Sequence, residues 1–306
     1  MTGQAETAAV GRPIALGAAV TAMVLSAACW GFATVMSKGA LSAFPPPVLV
    51  CLQLGASVAF LWSAVGITGQ GIRFDRATRL AGLSGVLEPG LAYVFGTFGL
   101  LLTTAGNASL IATTEPLLIA VLAWLLFREK VRPATVAAIL AAMAGVAMVT
   151  GAHGAGSGQS PLGDVLVILG TLFAALYVVA SSRLVAKIEP LALAALQQTV
   201  GLVFAVAFLL AWSPEAIAAD LGKADAGMLA LALVSGIVQY ALAFWLYLVG
   251  LKRLAASTAA LFLTLTPVFG IGGAALFLGE EVTPWQAAGT LIILASVAVA
   301  SQAARK

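Results

Sequence analysis

A stretch of this chain occurs twice, 151 residues apart. The first copy runs from Thr113, Thr114, Glu115 and Pro116 across an apolar run to Glu129, Val131 and Pro133. The second runs from Thr264, Thr266 and Pro267 across a similar run to Glu280, Val282 and Pro284. One offset lays Thr113 on Thr264, Pro116 on Pro267, Glu129 on Glu280, Val131 on Val282 and Pro133 on Pro284. Self-similarity over such a span confines the fold to two copies of one unit.

The medium in which that unit folds follows from composition. Of the 306 residues, 61% are hydrophobic and 9% charged, against roughly a quarter charged in soluble domains. A chain of this size has too little polar surface to stay dissolved, so it is read as an integral membrane protein. Apolar runs fall at about 14–37, 46–66, 80–102, 107–127, 133–150, 162–182, 190–212, 226–250, 256–278 and 284–302. They lack the alternation of barrel strands, and lipid-exposed backbone must satisfy its own hydrogen bonds, so the runs are helices. The fold class is all-α membrane: ten transmembrane helices as two inverted five-helix repeats. The Ser26-Ala27-Ala28-Cys29 stretch loosely resembles a signal-peptide end. The apolar run continues past it to Ser37, so it is read as a retained helix.

The net charge of +3 points to no nucleic-acid partner, because the basic residues have a topological role. With the N-terminus in the cytoplasm, Arg12, Arg73, Arg76, Arg79, Arg128, Lys130, Arg132, Arg183, Lys187, Lys252, Arg253, Arg305 and Lys306 all lie inside. Only Lys38 and Lys223 of the 15 basic residues fall outside. This predicts a multi-pass inner-membrane protein with both termini cytoplasmic. Residues 1–13 form a polar tail, 14–150 the first repeat, 151–161 a flexible Gly/Ser-rich periplasmic linker, 162–302 the second repeat and 303–306 a short tail. Five helices per half place the second copy upside down. That inversion is the architecture of secondary transporters, with the substrate near the midplane between the halves. A further offset of 145 matches Lys38 with Arg183, Pro45 with Pro190 and Gln53 with Gln198.

Glu88 and Glu115 are the acidic residues well inside apolar runs, and each precedes a proline. A carboxylate at that depth must be paired, protonated or facing water. Each is a candidate for a substrate ammonium or for proton or ion coupling. The alternative is a neutral acid donating to a carbonyl freed by the proline. Glu88 falls on Gln239 at the offset of 151, with Ala92 on Ala243 and Gly99 on Gly250. This predicts two equivalent faces lining one cavity, with Gln53 and Gln198 as a second polar pair. Trp30, Tyr93, Tyr177 and Tyr240 are candidates to contact the apolar part of a substrate, and Glu88 and Gln239 its polar groups. Trp62, Trp212 and Trp285 read as interfacial anchors. No nucleotide-binding loop, hydrolytic triad or metal-ligand cluster is present, so neither a cofactor nor an enzymatic activity is expected. His153 is the single histidine and sits in the linker, and Cys29 and Cys51 read as core residues.

Together with the two inverted halves, Cys29-Trp30-Gly31, the Pro267 to Phe277-Leu278-Gly279-Glu280 run and Gln286 with Gly289 resemble the EamA family of the drug/metabolite transporter superfamily. The resemblance covers about residues 17–302, with Arg128 standing where the second copy has Gly279. Within that family the chain looks most like YddG-type exporters. The resemblance implies export of aromatic and other neutral amino acids by alternating access, through a cavity lined mainly by apolar and aromatic side chains. The expected partners are an amino-acid substrate and the bilayer, and the oligomeric state is open, a monomer being one option. The rival readings are export of another metabolite or a drug cation, a passive channel, and a sensor or scaffold without transport.

Overall fold

The computed structural model describes residues 14–72, 75–103, 108, 111–150, 160–212, 225–278 and 281–303. The N-terminal tail with Arg12, Arg73, residues 151–159 of the linker with His153, Lys223, Gly279 with Glu280, and Arg305 with Lys306 lie outside the described residues. Every regular element among the described residues is helical: α1 (Leu16–Ala40), α2 (Pro46–Thr68), α3 (Arg76–Gly82), α4 (Ala92–Leu102), α5 (Glu115–Phe127), α6 (Pro133–Val149), α7 (Pro161–Leu184), α8 (Pro190–Trp212), α9 (Ala226–Gly236), α10 (Ala243–Leu251), α11 (Ala256–Leu263), α12 (Thr266–Leu278) and α13 (Pro284–Ala303). Among the described residues six helical runs are long and apolar enough to cross a membrane. They are α1, α2, α7, α8, the joined α9–α10 and the joined α11–α12.

Proline sets many of the starts. It opens α2, α6, α7, α8 and α13, where its fixed φ suits the first turn and its missing N–H has no helical partner to lose. Asp75 and Asp225 cap α3 and α9, each accepting at 2.8 Å from an N–H three residues on. Arg128 ends α5 at φ 54°, in the left-handed region, where the second copy carries glycine, the residue best suited to that conformation.

Four of the apolar helical runs are not continuous α-helices; one of them, α9–α10, is joined through a π-helical turn at Ile237–Leu242. Glu88 adopts an extended conformation (φ −148°, ψ 128°) between α3 and α4. A turn at Thr264 and Leu265 separates α11 from α12, and a turn at Thr113 and Thr114 precedes α5. The threonines close these turns: the Ile111 carbonyl accepts from both the N–H and the hydroxyl of Thr114, and the Leu261 carbonyl from both groups of Thr264, the hydroxyl bonds being 2.6 Å. Glu115 and Pro116 therefore open a helix and do not kink one.

The closest helix approaches join residues from opposite sides of the linker. A Cβ on Gly99 would sit 2.6 Å from Val167, one on Gly250 2.5 Å from Met23, and one on Gly145 2.8 Å from the Gly289 carbonyl. Gly85 lies against the Gln197 backbone and Gly236 against the Gln53 backbone, closer than any Cβ allows. Small residues bring helices this near where lipid offers no competing hydrophobic drive. The segments before and after the linker are thus interleaved.

Side-chain bonds follow the same crossing. Gln53 Nε2 donates to Ser37 Oγ at 2.8 Å and Ser235 Oγ at 2.9 Å. Gln197 Nε2 donates to Ser84 Oγ at 2.8 Å and Ser181 Oγ at 3.0 Å. Ser84 and Ser235 are 151 apart, whereas Gln53 and Gln197, like Ser37 and Ser181, are 144 apart. The offset of 145 was therefore one residue out, and the equivalent of Gln53 is Gln197, not Gln198. The error came from Pro45-Pro46-Pro47, any of which can be laid on Pro190; Pro46 is the one that opens a helix, as Pro190 does.

Candidate functional site

The breaks in the passes converge on one cavity of about 280 Å³. Trp30 and Thr34 reach it from α1, Glu88 and Tyr93 from the broken third pass, Glu115 from the first turn of α5 and Tyr177 from α7. Gln239, Phe244 and Tyr247 come from the α9–α10 pass, and Leu263 and Thr266 from the α11–α12 break. Interrupting a helix frees it to turn a mid-membrane side chain inward, which is how Glu88 reaches the cavity.

One wall is aromatic. The Trp30 ring packs edge-on against Phe244 at 5.2 Å and Tyr247 at 5.6 Å, and Tyr177 lies 5.7 Å from Phe244. The Tyr177 hydroxyl donates to Gln197 Oε1 at 2.9 Å, so its ring is the part offered to an occupant. Gln239 Oε1 accepts from Ser37 at 2.9 Å, which ties it to Gln53. Both carboxyl groups face this space, and no lysine, arginine or histidine is among the lining residues. Paired acids in a confined, partly apolar site favour a cationic group between them. The helices α5 and α12 both begin at the cavity, at Glu115 and Thr266. The positive ends of their dipoles therefore face it.

Trp30, Glu88, Tyr93, Glu115, Tyr177 and Gln239 thus share one cavity. Tyr240 does not line it; it is buried behind the wall, 5.6 Å from Tyr93 and 6.2 Å from Phe244. Gln53 and Gln198 are buried and line no part of it. The small-residue faces predicted to line the cavity pack on neighbouring helices instead. Gly170 lies against Ala92, and Ser26 Oγ donates to the Ala243 carbonyl at 2.7 Å. Trp62 is half-buried, and its Nε1 donates to Thr199 Oγ1 at 2.9 Å. Trp285 is exposed.

Phe244 and Tyr247 are the aromatic lining residues that site selection from sequence missed. Their signal was the recurrence of aromatics at 240, 244 and 247, one helical face. Thr34, Val178, Leu263 and Thr266, also in the lining, carry no such signal. The Tyr247 hydroxyl is buried with no hydrogen-bond partner among the described residues. A buried orphan donor costs about 1–3 kcal/mol, so removing it is expected to leave stability unchanged or raised. Tyr247→Phe keeps the ring on Trp30. It is expected to raise the melting temperature of the empty protein slightly while shrinking the stabilisation that a transported ligand confers. A loss of empty-state stability would assign the hydroxyl a structural partner instead.

Access is asymmetric. A second cavity of about 310 Å³ shares Thr34, Glu115, Leu263 and Thr266 with the first and reaches Thr150, next to the linker. At the opposite, basic ends of the helices, contacts among the described residues join neighbouring elements. Glu129 caps α11, its carboxylate accepting from Ser257 N at 3.1 Å, Ala256 N at 3.3 Å and the Ser257 hydroxyl. The Arg183 guanidinium stands 4.4 Å over the Phe127 ring. Lys252 pairs with Glu189 at 2.7 Å.

A family model described as the EamA-like transporter family matches residues 17–151 and 161–302. The chain belongs to the EamA-like transporter family. An uncharacterized transporter of Archaeoglobus fulgidus is 24% identical over 277 residues, 90% of this chain and 95% of that protein. The uncharacterized transporter YvbV of Bacillus subtilis is 26% identical over 270 residues, 88% of this chain and 86% of the other. A solved crystal structure superposes with a TM-score of 0.77 at 22% identity, covering 94% of this chain and 98% of that one. This EamA-like protein is therefore a multi-pass membrane transporter, and the cavity that its broken passes build is its candidate translocation site.

Proposed function

We propose that this EamA-like transporter exports small molecules carrying an ammonium group beside an apolar or aromatic body, with neutral and aromatic amino acids as the leading substrates. The supporting observation is that Glu88 and Glu115 face one aromatic-walled cavity with no basic residue among its lining. The ammonium sits between the two acids. The substrate carboxylate meets the N-terminal end of α12, with Gln239 and Tyr247 as donors. Trp30, Tyr93, Tyr177 and Phe244 enclose the side chain, with Tyr240 supporting them from behind.

The passes form ten helices in two inverted five-helix repeats, with the basic face and both termini in the cytoplasm of a bacterial inner membrane. The paired matches of the family model and the recurring Gln–Ser bonds and glycine contacts support this arrangement. In that orientation the cleft opens to the periplasm, one of the two states that alternating access requires. Glu88 or Glu115 also serves as the site of an exchanged proton. Uptake indifferent to a pH gradient and to uncouplers would remove that role.

Export of an organic cation is the second reading, favoured by the absence of a cationic lining residue to meet a substrate carboxylate. The two separate in proteoliposomes given radiolabelled amino acids, an organic cation and a nucleobase. Saturable uptake of aromatic amino acids, accelerated by substrate on the opposite side, is the expected result. Flux of the cation alone favours the second reading, and non-saturating flux indicates a channel. Binding without flux sinks transport of these compounds.

A further inference from the structure

A further, smaller cavity lies on the basic face, about 180 Å³ in volume. Lys130 and Arg132 enter it from the loop between α5 and α6, and Arg253 from the loop between α10 and α11. The hydroxyl-bearing Thr135 and Thr258 complete its polar wall, and no carboxylate is among its lining residues. The neighbouring Glu129 is turned away into the start of α11, where two N–H groups and the Ser257 hydroxyl engage it. Three cations around a concave, hydroxyl-bearing space match a singly charged phosphodiester.

The approach to this cavity identifies the source of that group. Trp124, Leu125, Leu126 and Phe127, the last turn of α5, are 51%, 53%, 56% and 39% exposed. Exposed apolar residues such as Trp124, Leu125 and Leu126 on a membrane helix suit acyl chains, while Phe127 carries the Arg183 guanidinium over its ring. The chain then passes through Arg128 and Glu129 to Lys130 and Arg132, where the headgroup of a lipid packed on that turn arrives. A free inorganic anion needs no such apolar approach.

We propose that this cavity is a headgroup site for an anionic phospholipid, its phosphodiester held by Lys130, Arg132 and Arg253. The two loops come from opposite sides of the linker and are joined here by the Glu129 cap. A lipid that contacts both binds the conformer in which they are together. It therefore favours closure on the basic face. The site is separate from the translocation cavity and stands whether or not the substrate assignment does.

Thermal unfolding of the purified full chain tests this in nanodiscs of phosphatidylcholine, of phosphatidylcholine with phosphatidylglycerol, and of phosphatidylcholine with inorganic phosphate in the buffer. Phosphatidylglycerol is expected to raise the melting temperature and phosphate to leave it unchanged. Combining Lys130→Gln, Arg132→Gln and Arg253→Gln should abolish the rise and weaken lipid retention, read by native mass spectrometry, about a hundredfold. Combining Arg76→Gln with Arg79→Gln, exposed on the same face, should preserve it. Should the triple variant fail to fold, Arg253→Gln alone must show a partial loss. No rise in the unmodified protein, an equal rise in the variants, or an equal rise with inorganic phosphate overturns the assignment.

Discussion

Gly85→Ala is expected to prevent assembly of the membrane fold. A Cβ at this position would penetrate the Gln197 carbonyl group and stand 3.0 Å from its Cα. The obstacle is backbone, so no side chain can rotate away. Gln197 is also pinned, because its amide bonds Ser84, Ser181 and Tyr177. Relief requires separating two helices and breaking those bonds together. Overpacking typically costs about 1–3 kcal/mol and sometimes more, and the added loss of buried hydrogen bonds places this substitution at the upper end. Gly236→Ala, against the Gln53 backbone, should act in the same direction. Gly17→Ala and Gly55→Ala meet nothing within 4 Å and lie inside helices, where the change is worth up to about 1 kcal/mol of added stability. The yield of monodisperse protein and its melting temperature read all four. A Gly85→Ala protein as stable as the unmodified chain would mean that the Leu83–Val86 turn following α3 does not meet the α8 backbone at Gln197.

Glu88→Gln is expected to leave the fold intact and to lower transport of amine-bearing substrates by about 30-fold or more, the effect of about 2 kcal/mol or more for a desolvated charge contact. Glutamine has the same shape, and the matching position of the second copy already carries Gln239. Loss of the charge is thus separated from loss of structure. Glu115→Gln should show a smaller effect of the same sign, because Glu115 lies where the two cavities meet and is shared between them. Uptake per folded molecule in proteoliposomes, with melting temperature measured alongside, is the readout. Unchanged flux in Glu88→Gln would retire the carboxylate as a substrate contact and leave the aromatic wall as the main determinant.

The sequence by itself determined the membrane class, the placement of most helices and the presence of two acids inside apolar runs. Each is a one-dimensional property: run length, proline position, and the occurrence of a charge within an apolar run. Glu88 and Glu115 were legible as a pair because a carboxyl group in an apolar run needs a reason to be there. Only the tertiary structure decided what these residues meet. Most of these helices are apolar around their whole circumference, so the pattern marks no inward face, and lipid and protein neighbours are chemically alike. Thus Gln53 reads from sequence as cavity-lining, yet it spends its amide on Ser37 and Ser235. Tyr240 lies behind the wall, while Phe244 and Tyr247 form it. The interleaving of the two sequence segments was equally hidden. It depends on glycines that admit a backbone from the far side of the linker, and a glycine shows in sequence that something approaches but not which helix.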